Sequence, residues 1–367
     1  MFDRKLIQNF DWGLLSLTFT LAIIGLATLY SAVTSDVTGQ QKVLYIKQLV
    51  WYSGGLVIMI ATITVNYKSF DRWAYVIYGG CVVLLILVLI AGKVGGGSRR
   101  WISLGPVSLQ PSELVKIAVI ICLARYYSKF ARTKGLSLSD LTTPCMLTVV
   151  PFILIVKQPD LGTGLLVVLI AASMTLFIKI ERKTMAFLIV VASTTVPMIW
   201  FVLKDYQKQR ILTFLDPDRD PLGAGYHIIQ SKISIGSGMI YGKGYLKGTQ
   251  TALAFLPEQH TDFIFSVLSE EWGFIGSMLV LLLFLLLILW GLNIAYGCRD
   301  PFGTVLAVGI TAMIAWQVFI NIGMVMGLMP VVGVTLPFIS YGGSSTIATM
   351  TSVGVLLNIS MRRYMYE

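Results

Sequence analysis

"LPEQHTDFIFSVLSEEWGFIGSMLVLLLFLLLILW", residues 256–290, passes from a polar segment into an apolar one within a few positions. From Ile264 onward the apolar run can cross a hydrocarbon core about 30 Å thick, which takes roughly 20 residues. Asp262 stands at its edge, between His260-Thr261 and Phe263-Ile264-Phe265. A charge at that point lies where a membrane surface begins.

Working outward, the same pattern recurs along the chain. Ten spans are expected, at 12–34, 46–65, 73–91, 111–128, 141–157, 160–178, 184–203, 264–296, 303–328 and 338–360. Composition agrees: 56% of residues are hydrophobic and 13% charged, half the charge density of soluble domains. Mean hydropathy is +0.79. The expected fold is an all-α polytopic membrane protein of about ten transmembrane helices. Residues 1–367 form one domain, with a long extracytoplasmic loop, 204–263, between helices 7 and 8. No cleavable signal peptide is expected, because Phe2–Phe10 is polar and leads into a first run too long for one.

The net charge of +10 raises the question of nucleic acid, and its placement answers it. With the N-terminus inside, 14 basic residues fall on cytoplasmic segments and 6 on the short outer ones. Long loops carry little weight in orientation, so this is a positive-inside bias. The basic excess reads as topology, with both termini cytoplasmic, and no nucleic-acid partner is expected. The four cysteines, Cys81, Cys122, Cys145 and Cys298, are scattered without ligand spacing and read as small apolar fillers.

Two outer segments are unlike connectors. Gly92–Glu113 is glycine-rich around Arg99-Arg100-Trp101. Within 204–263, "GSGMIYGKGYLKGTQ" (236–250) has the glycine density of a backbone that approaches a ligand or another chain closely.

In this topology every even-numbered span starts outside, and of the fourth, sixth, eighth and tenth starts three carry an acid: Glu113, Asp160 and Asp262. Pro111 and Pro159 suit first turns, which sets the first two acids near helix N-termini. One acid there offsets the helix dipole by roughly 0.3–1 kcal/mol and needs no other role. Three at one membrane level suit a shared outer cavity, where ionisable groups are functional candidates. Glu113 and Lys116 share a helix face and read either as a structural ion pair or as a phosphate partner with its counter-ion. Arg100 reads as an interfacial anchor or as a fork for a lipid diphosphate. His227 and His260 are the only histidines; hydrogen-bonding roles are favoured over a metal pair.

The motifs "GSRRWISLG…LQPSELVK", "KQPDLGT", "DPDRDPLGAGYHIIQSKISIGSG", "FLPEQHTDFIF" and "PVVGVTLPFISYGGSS", in this order from the first span to the last, resemble the SEDS family (shape, elongation, division and sporulation). "GYHIIQS" and "GTQTALAFLPEQHTDFIF" are more similar to its elongation branch than to its division branch. The resemblance implies a peptidoglycan glycosyltransferase of the bacterial cytoplasmic membrane, polymerising lipid II at the outer face during rod-shaped elongation. It implies a class B penicillin-binding protein as partner, among other elongation-complex membrane proteins. The family's essential acid maps to Asp262, its paired acid and lysine to Glu113 and Lys116, and its "QPD" acid to Asp160. At Met239 many relatives carry a further glycine.

Transfer from a sugar diphosphate with inversion needs one base and positive charge at the leaving group. Asp262 is the expected base, with Glu113, Lys116, Arg100, Asp160 and His260 the expected substrate-binding set. The rival role for Asp262 is ligand to a divalent cation, Mg²⁺ or Mn²⁺, held with the substrate's phosphates. Two other functions stay open: a lipid II flippase or transporter, and a non-catalytic scaffold for a penicillin-binding protein. Charges clustered on one side favour chemistry over transport, and a scaffold needs no acid at three helix starts.

Overall fold

The computed structural model describes residues 8–34, 42–95, 98–104, 107–130, 135–220, 223–253, 255 and 258–363. Each of the ten expected spans coincides with a helix: α1 (Trp12–Thr34), α2 (Lys42–Thr64), α3 (Lys68–Ala91), α4 (Pro111–Ser128), α5 (Thr142–Lys157), α6 (Leu161–Phe177), α7 (Arg182–Val202), α11 (Ile264–Gly297), α12 (Pro301–Val325) and α13 (Gly343–Arg362). Between α7 and α11 lie three further helices, α8 (Asp205–Leu215), α9 (Ala224–Ser237) and the single turn α10 (Thr249–Ala252). By length and composition, α1, α2, α3, α11 and α12 are apolar enough to cross a membrane. Helices α5 and α6 are apolar but shorter, at 16 and 17 residues. The chain is a multi-pass membrane protein. The expectation of cytoplasmic termini concerns residues 1–7 and 364–367, which lie outside the described residues.

Where apolar side chains go separates the lipid-facing helices from the core. On α3 and α11, Val76, Ile90, Phe274, Leu282 and Leu289 are more than half exposed. A soluble monomer does not carry apolar patches of that extent, whereas a bilayer solvates them. Helix α4 is the opposite case, with 14 of its 18 residues buried. It is the central post, packed by α3, α6 and α12. Helix α13 lies against α2 at close range, because a Cβ on Gly343 would stand 2.2 Å from the Trp51 ring. Small residues permit such approach between membrane helices.

Three findings depart from the sequence reading. Residues 93–109 hold a small antiparallel sheet, β1 (Lys93–Gly95), β2 (Ser98–Leu104) and β3 (Val107–Leu109), within a segment read only as glycine-rich in a fold expected to be all-α. Helix α13 starts at Gly343 and not near 338; residues 330–342 form a non-helical segment folded over one end of the bundle. The third departure concerns the single span expected over 264–296, which is broken at Gly273 (φ 67°, ψ −162°).

That break is filled by the loop 239–244. Lys243 and Gly244 N–H donate to the carbonyls of Glu270 and Glu271, at 3.0 Å each. Phe274 and Ile275 N–H donate to the carbonyls of Met239 and Ile240, at 2.8 and 3.2 Å. An interrupted helix leaves backbone groups without partners, and burial makes them costly, so the loop backbone takes their place. Gly242 and Gly273 sit face to face here, and a Cβ on Gly273 would come 2.3 Å from the Gly242 nitrogen. The glycine density of 236–250 therefore serves an approach within the chain itself. Met239 adopts φ 48° in this loop, a conformation that suits glycine.

Candidate active site

At the end of the bundle where α4, α6 and α13 begin, a cavity of about 510 Å³ opens. Its wall includes Trp51 from α2, Arg100 and Trp101 from β2, Glu113 and Lys116 from α4, Thr163 from α6, Glu258 and Asp262 before α11, Gln317 from α12, and the 333–345 segment. Four of the six expected site residues, Asp262, Glu113, Lys116 and Arg100, share this wall.

Glu113 lies in the first turn of α4, after an extended Gln110 and with Pro111 at the first helical position. Lys116, one turn on, donates from Nζ to Glu113 Oε2 at 2.9 Å, and the lysine is 1% exposed. A charge pair this deep faces desolvation that only good geometry offsets.

Asp160 is not in the cavity wall but behind it. It caps α6, accepting from Thr163 N–H at 3.3 Å and from the Thr163 hydroxyl at 3.0 Å. It also accepts from Gln110 Nε2 at 3.0 Å, which ties the start of α4 to the start of α6. Arg100 reaches back to the same corner. Its Nε donates to the Gln158 carbonyl at 3.3 Å, its Nη2 donates to the Pro159 carbonyl, and its Nη1 stands 3.9 Å from Asp160 Oδ1. Asp160 thus orients the groups that face the cavity.

Asp262 precedes α11 and is fixed through its main chain. Asn321 Nδ2 on α12 donates to the Asp262 carbonyl at 3.0 Å and to the Val334 carbonyl at 2.7 Å. Ser340 Oγ donates to the Thr261 carbonyl at 2.7 Å, and Tyr341 N–H to the His260 carbonyl at 2.9 Å. The Asp262 carboxyl lies over Gly333 (φ 72°), where a Cβ would meet Oδ2 at 3.3 Å. Loss of water pushes this carboxyl up to about 6, and the nearby Glu258 adds to the rise; Arg100 and Arg210 oppose it, and Asp160 contributes a smaller upward push. A carboxylate tuned close to neutral pH suits general-base work.

His260 lies beside the cavity wall, its ring 6.0 Å from that of Tyr341. Burial holds it below the ordinary histidine range against the opposing pull of Glu258, whose Oε2 lies 4.0 Å from Nε2. His227 packs on Phe263, with ring centres 5.9 Å apart. Among the described residues no three His, Cys, Asp or Glu side chains gather as a metal cluster.

Four residues escaped the sequence reading: Glu258, Arg210, Gln317 and Asn321. Glu258 and Arg210 were hidden in a loop that reads as nearly neutral. Gln317 and Asn321 carried a signal, since two amides four apart on an apolar helix are costly without a purpose.

The fold and cavity define a polytopic membrane protein with a charged, half-enclosed site at one end of its helices. Residues 11–365 match the family described as "Cell cycle protein" (FtsW, RodA, SpoVE), and the chain belongs to it. It is 42% identical to the peptidoglycan glycosyltransferase MrdB of Escherichia coli over 357 residues, 96% of each chain. It is 33% identical to the peptidoglycan glycosyltransferase RodA of Treponema pallidum, covering 97% of this chain and 99% of that one. Among solved structures, it matches a chain of a peptidoglycan synthase complex with TM-score 0.82 and 33% identity, over 97% of this chain and 99% of the other. The rod shape determining protein RodA of Thermus thermophilus matches with TM-score 0.71 and 29% identity, over 97% and 98%.

Proposed function

We propose that this chain is a peptidoglycan glycosyltransferase that polymerises lipid II during cell elongation. Its relatives carry that activity in their names, and the observation that carries the reading here is Asp262. Its carboxyl, raised to about 6, shares one cavity with Arg100 and the Glu113–Lys116 pair. Asp262 takes the proton of the acceptor sugar's 4-hydroxyl as that oxygen attacks the anomeric carbon of the donor. The bond from that carbon to the diphosphate oxygen breaks, and undecaprenyl diphosphate leaves with the electron pair. One displacement converts the α link to β, so a single carboxylate suffices, whereas hydrolysis of a glycoside needs two. Lys116 and Arg100 supply positive charge to the departing diphosphate.

A hard divalent ion, Mg²⁺ or Mn²⁺, fits beside this donor set, because such ions are held by one or two carboxylates together with substrate phosphates. Asp262 and Glu258 both face the cavity and are the residues that would hold it. When bound, it neutralises charge on the diphosphate.

The site faces outward from the cytoplasmic membrane in this reading, with both termini inside. The partner is a class B penicillin-binding protein, and a solved relative does belong to a peptidoglycan synthase complex. Against a flippase stands the interior of α4. Below Lys116 it carries Val119, Ile120 and Leu123, each fully buried and apolar. The test is lipid II polymerisation by purified protein with its penicillin-binding partner, wild type against Asp262→Ala. Polymer from the wild type and none from a folded, partner-binding Asp262→Ala supports the enzyme. Equal polymer from both moves the function to a scaffold or lipid carrier.

A further inference from the structure

Helix α12 presents two amides to the site, and they are used differently. Asn321 spends its Nδ2 on the Asp262 and Val334 carbonyls; its Oδ1 is also buried without a partner among the described residues, but the residue is not part of the cavity wall. Gln317, one turn away on the same face, lines the cavity, and its Oε1 is buried with no hydrogen-bond partner among the described residues. The whole residue is 1% exposed. A buried acceptor left without a donor costs roughly 1–3 kcal/mol, so a side chain this placed without a protein partner points to a ligand as its partner.

Helix geometry gives its depth. Gly309 of α12 packs against Ile120 of α4, and the two helices run in opposite directions. Eight residues outward, about 12 Å along each axis, brings α12 to Gln317 and α4 to Ser112, beside Glu113. Asn321 lies one turn, about 6 Å, further out, and holds the main chain of Asp262. Gln317 is therefore level with the start of α4 and one turn inward of the proposed base. That offset is about the width of a sugar ring. The chemistry of the group narrows the ligand further. A diphosphate offers only acceptors and could take only the amide's N–H groups, whereas a saccharide carries hydroxyls and acetamido N–H groups that can satisfy the carbonyl oxygen as well.

We propose that Gln317 is a sugar-binding residue of this site, its side-chain carbonyl accepting an acetamido N–H or a hydroxyl of the lipid-linked saccharide one helical turn below Asp262. The inference rests on the glycosyltransferase reading and names which part of the substrate this wall reads. Without that contact the sugar-bearing lipid loses a hydrogen bond that its bare lipid diphosphate never made.

The test is binding of lipid II and of undecaprenyl diphosphate to the purified full-length protein, for wild type, Gln317→Leu and Gln317→Met. Thermal midpoints of the three proteins report folding, and the methionine variant retains the length of the side chain if leucine packs badly. The expected result is affinity for lipid II about tenfold weaker in both variants, with undecaprenyl diphosphate bound as by the wild type. Equal losses for both lipids would make the amide a phosphate donor and overturn the proposal. Unchanged affinity for both would make it a structural amide, with the same consequence. If the wild type itself polymerises nothing and binds neither lipid, the glycosyltransferase reading fails first, and that outcome is distinct from the other two.

Discussion

Glu270 and Glu113 are both buried carboxylates that face a lysine, at 2.7 Å from Lys243 and 2.9 Å from Lys116. Their surroundings differ. Glu270 accepts from six donors: Lys243 Nζ, the Thr249, Thr251 and Ser234 hydroxyls, and the Gln250 and Thr251 N–H groups. It pins the loop 243–251 onto α11, next to the break at Gly273 that the same loop fills. Glu113 takes one donor among the described residues, Lys116 Nζ, and both side chains line the cavity. A carboxylate saturated by its own loop holds a fold together. One with a single partner and an open cavity beside it is placed for something that arrives.

The comparison breaks most sharply if the two pairs are cut in turn. Removing one partner of a buried charge pair leaves the other uncompensated, so Glu270→Ala is expected to lose about 3–5 kcal/mol of stability. A lowered thermal midpoint in detergent, or failure to accumulate, shows it. Replacing both members of the cavity pair, as in Glu113→Gln with Lys116→Met, removes charge without stranding any. That protein is expected to keep its thermal midpoint within a few degrees. Its polymerisation rate should fall about 10²–10³-fold, the usual cost of losing an electrostatic contact in a transition state. A double variant that unfolds would place Glu113 and Lys116 with Glu270 as structural residues.

A finer test uses Glu258, whose carboxylate shares the cavity with Asp262 and helps to raise it. Taking away a like charge favours ionisation of the remaining acid. Glu258→Gln should move the acid limb of the pH–rate profile below its wild-type midpoint, whatever the change in the plateau rate. A midpoint that stays in place would mean that burial alone sets the carboxyl. The smallest effect belongs to the structural side. Met239 is 80% exposed and holds φ 48°, so Met239→Gly removes strain without removing packing. It is expected to stabilise by about 0.5–1 kcal/mol and to leave polymerisation unchanged.

How far the sequence reaches follows the same division. The helices of the ten spans are legible because apolar runs of about 20 residues have few other uses. Glu113 and Asp262 are legible because their helix starts fall at one level, Lys116 because it is one turn on from Glu113, and Arg100 because it sits in the outer segment before them; the cavity does gather all four. Asp160 has the same sequence signature, yet its hydrogen bonds cap α6 and hold Gln110, facts that depend on which helices are neighbours. The break at Gly273 is invisible in a run that is apolar on both sides of it; only the loop 239–244, more than thirty positions upstream at its far end, supplies the missing partners. The glycines of that loop announce a close approach without saying to what. Gln317 and Asn321 are detectable as amides in an apolar helix, but their division of labour is set by where Asp262 and Val334 fold.

The central claim is that a carboxyl desolvated in this cavity is the base for glycosyl transfer. Its most direct test is kcat for lipid II polymerisation by the partnered protein from about pH 5 to about pH 9. In the proposed mechanism Asp262 works as the carboxylate, and its carboxyl is raised to about 6. The account predicts a rate that is level at high pH and falls tenfold per unit below a midpoint close to 6. A profile that stays flat to pH 5, with Asp262 present and polymer still forming, would contradict it.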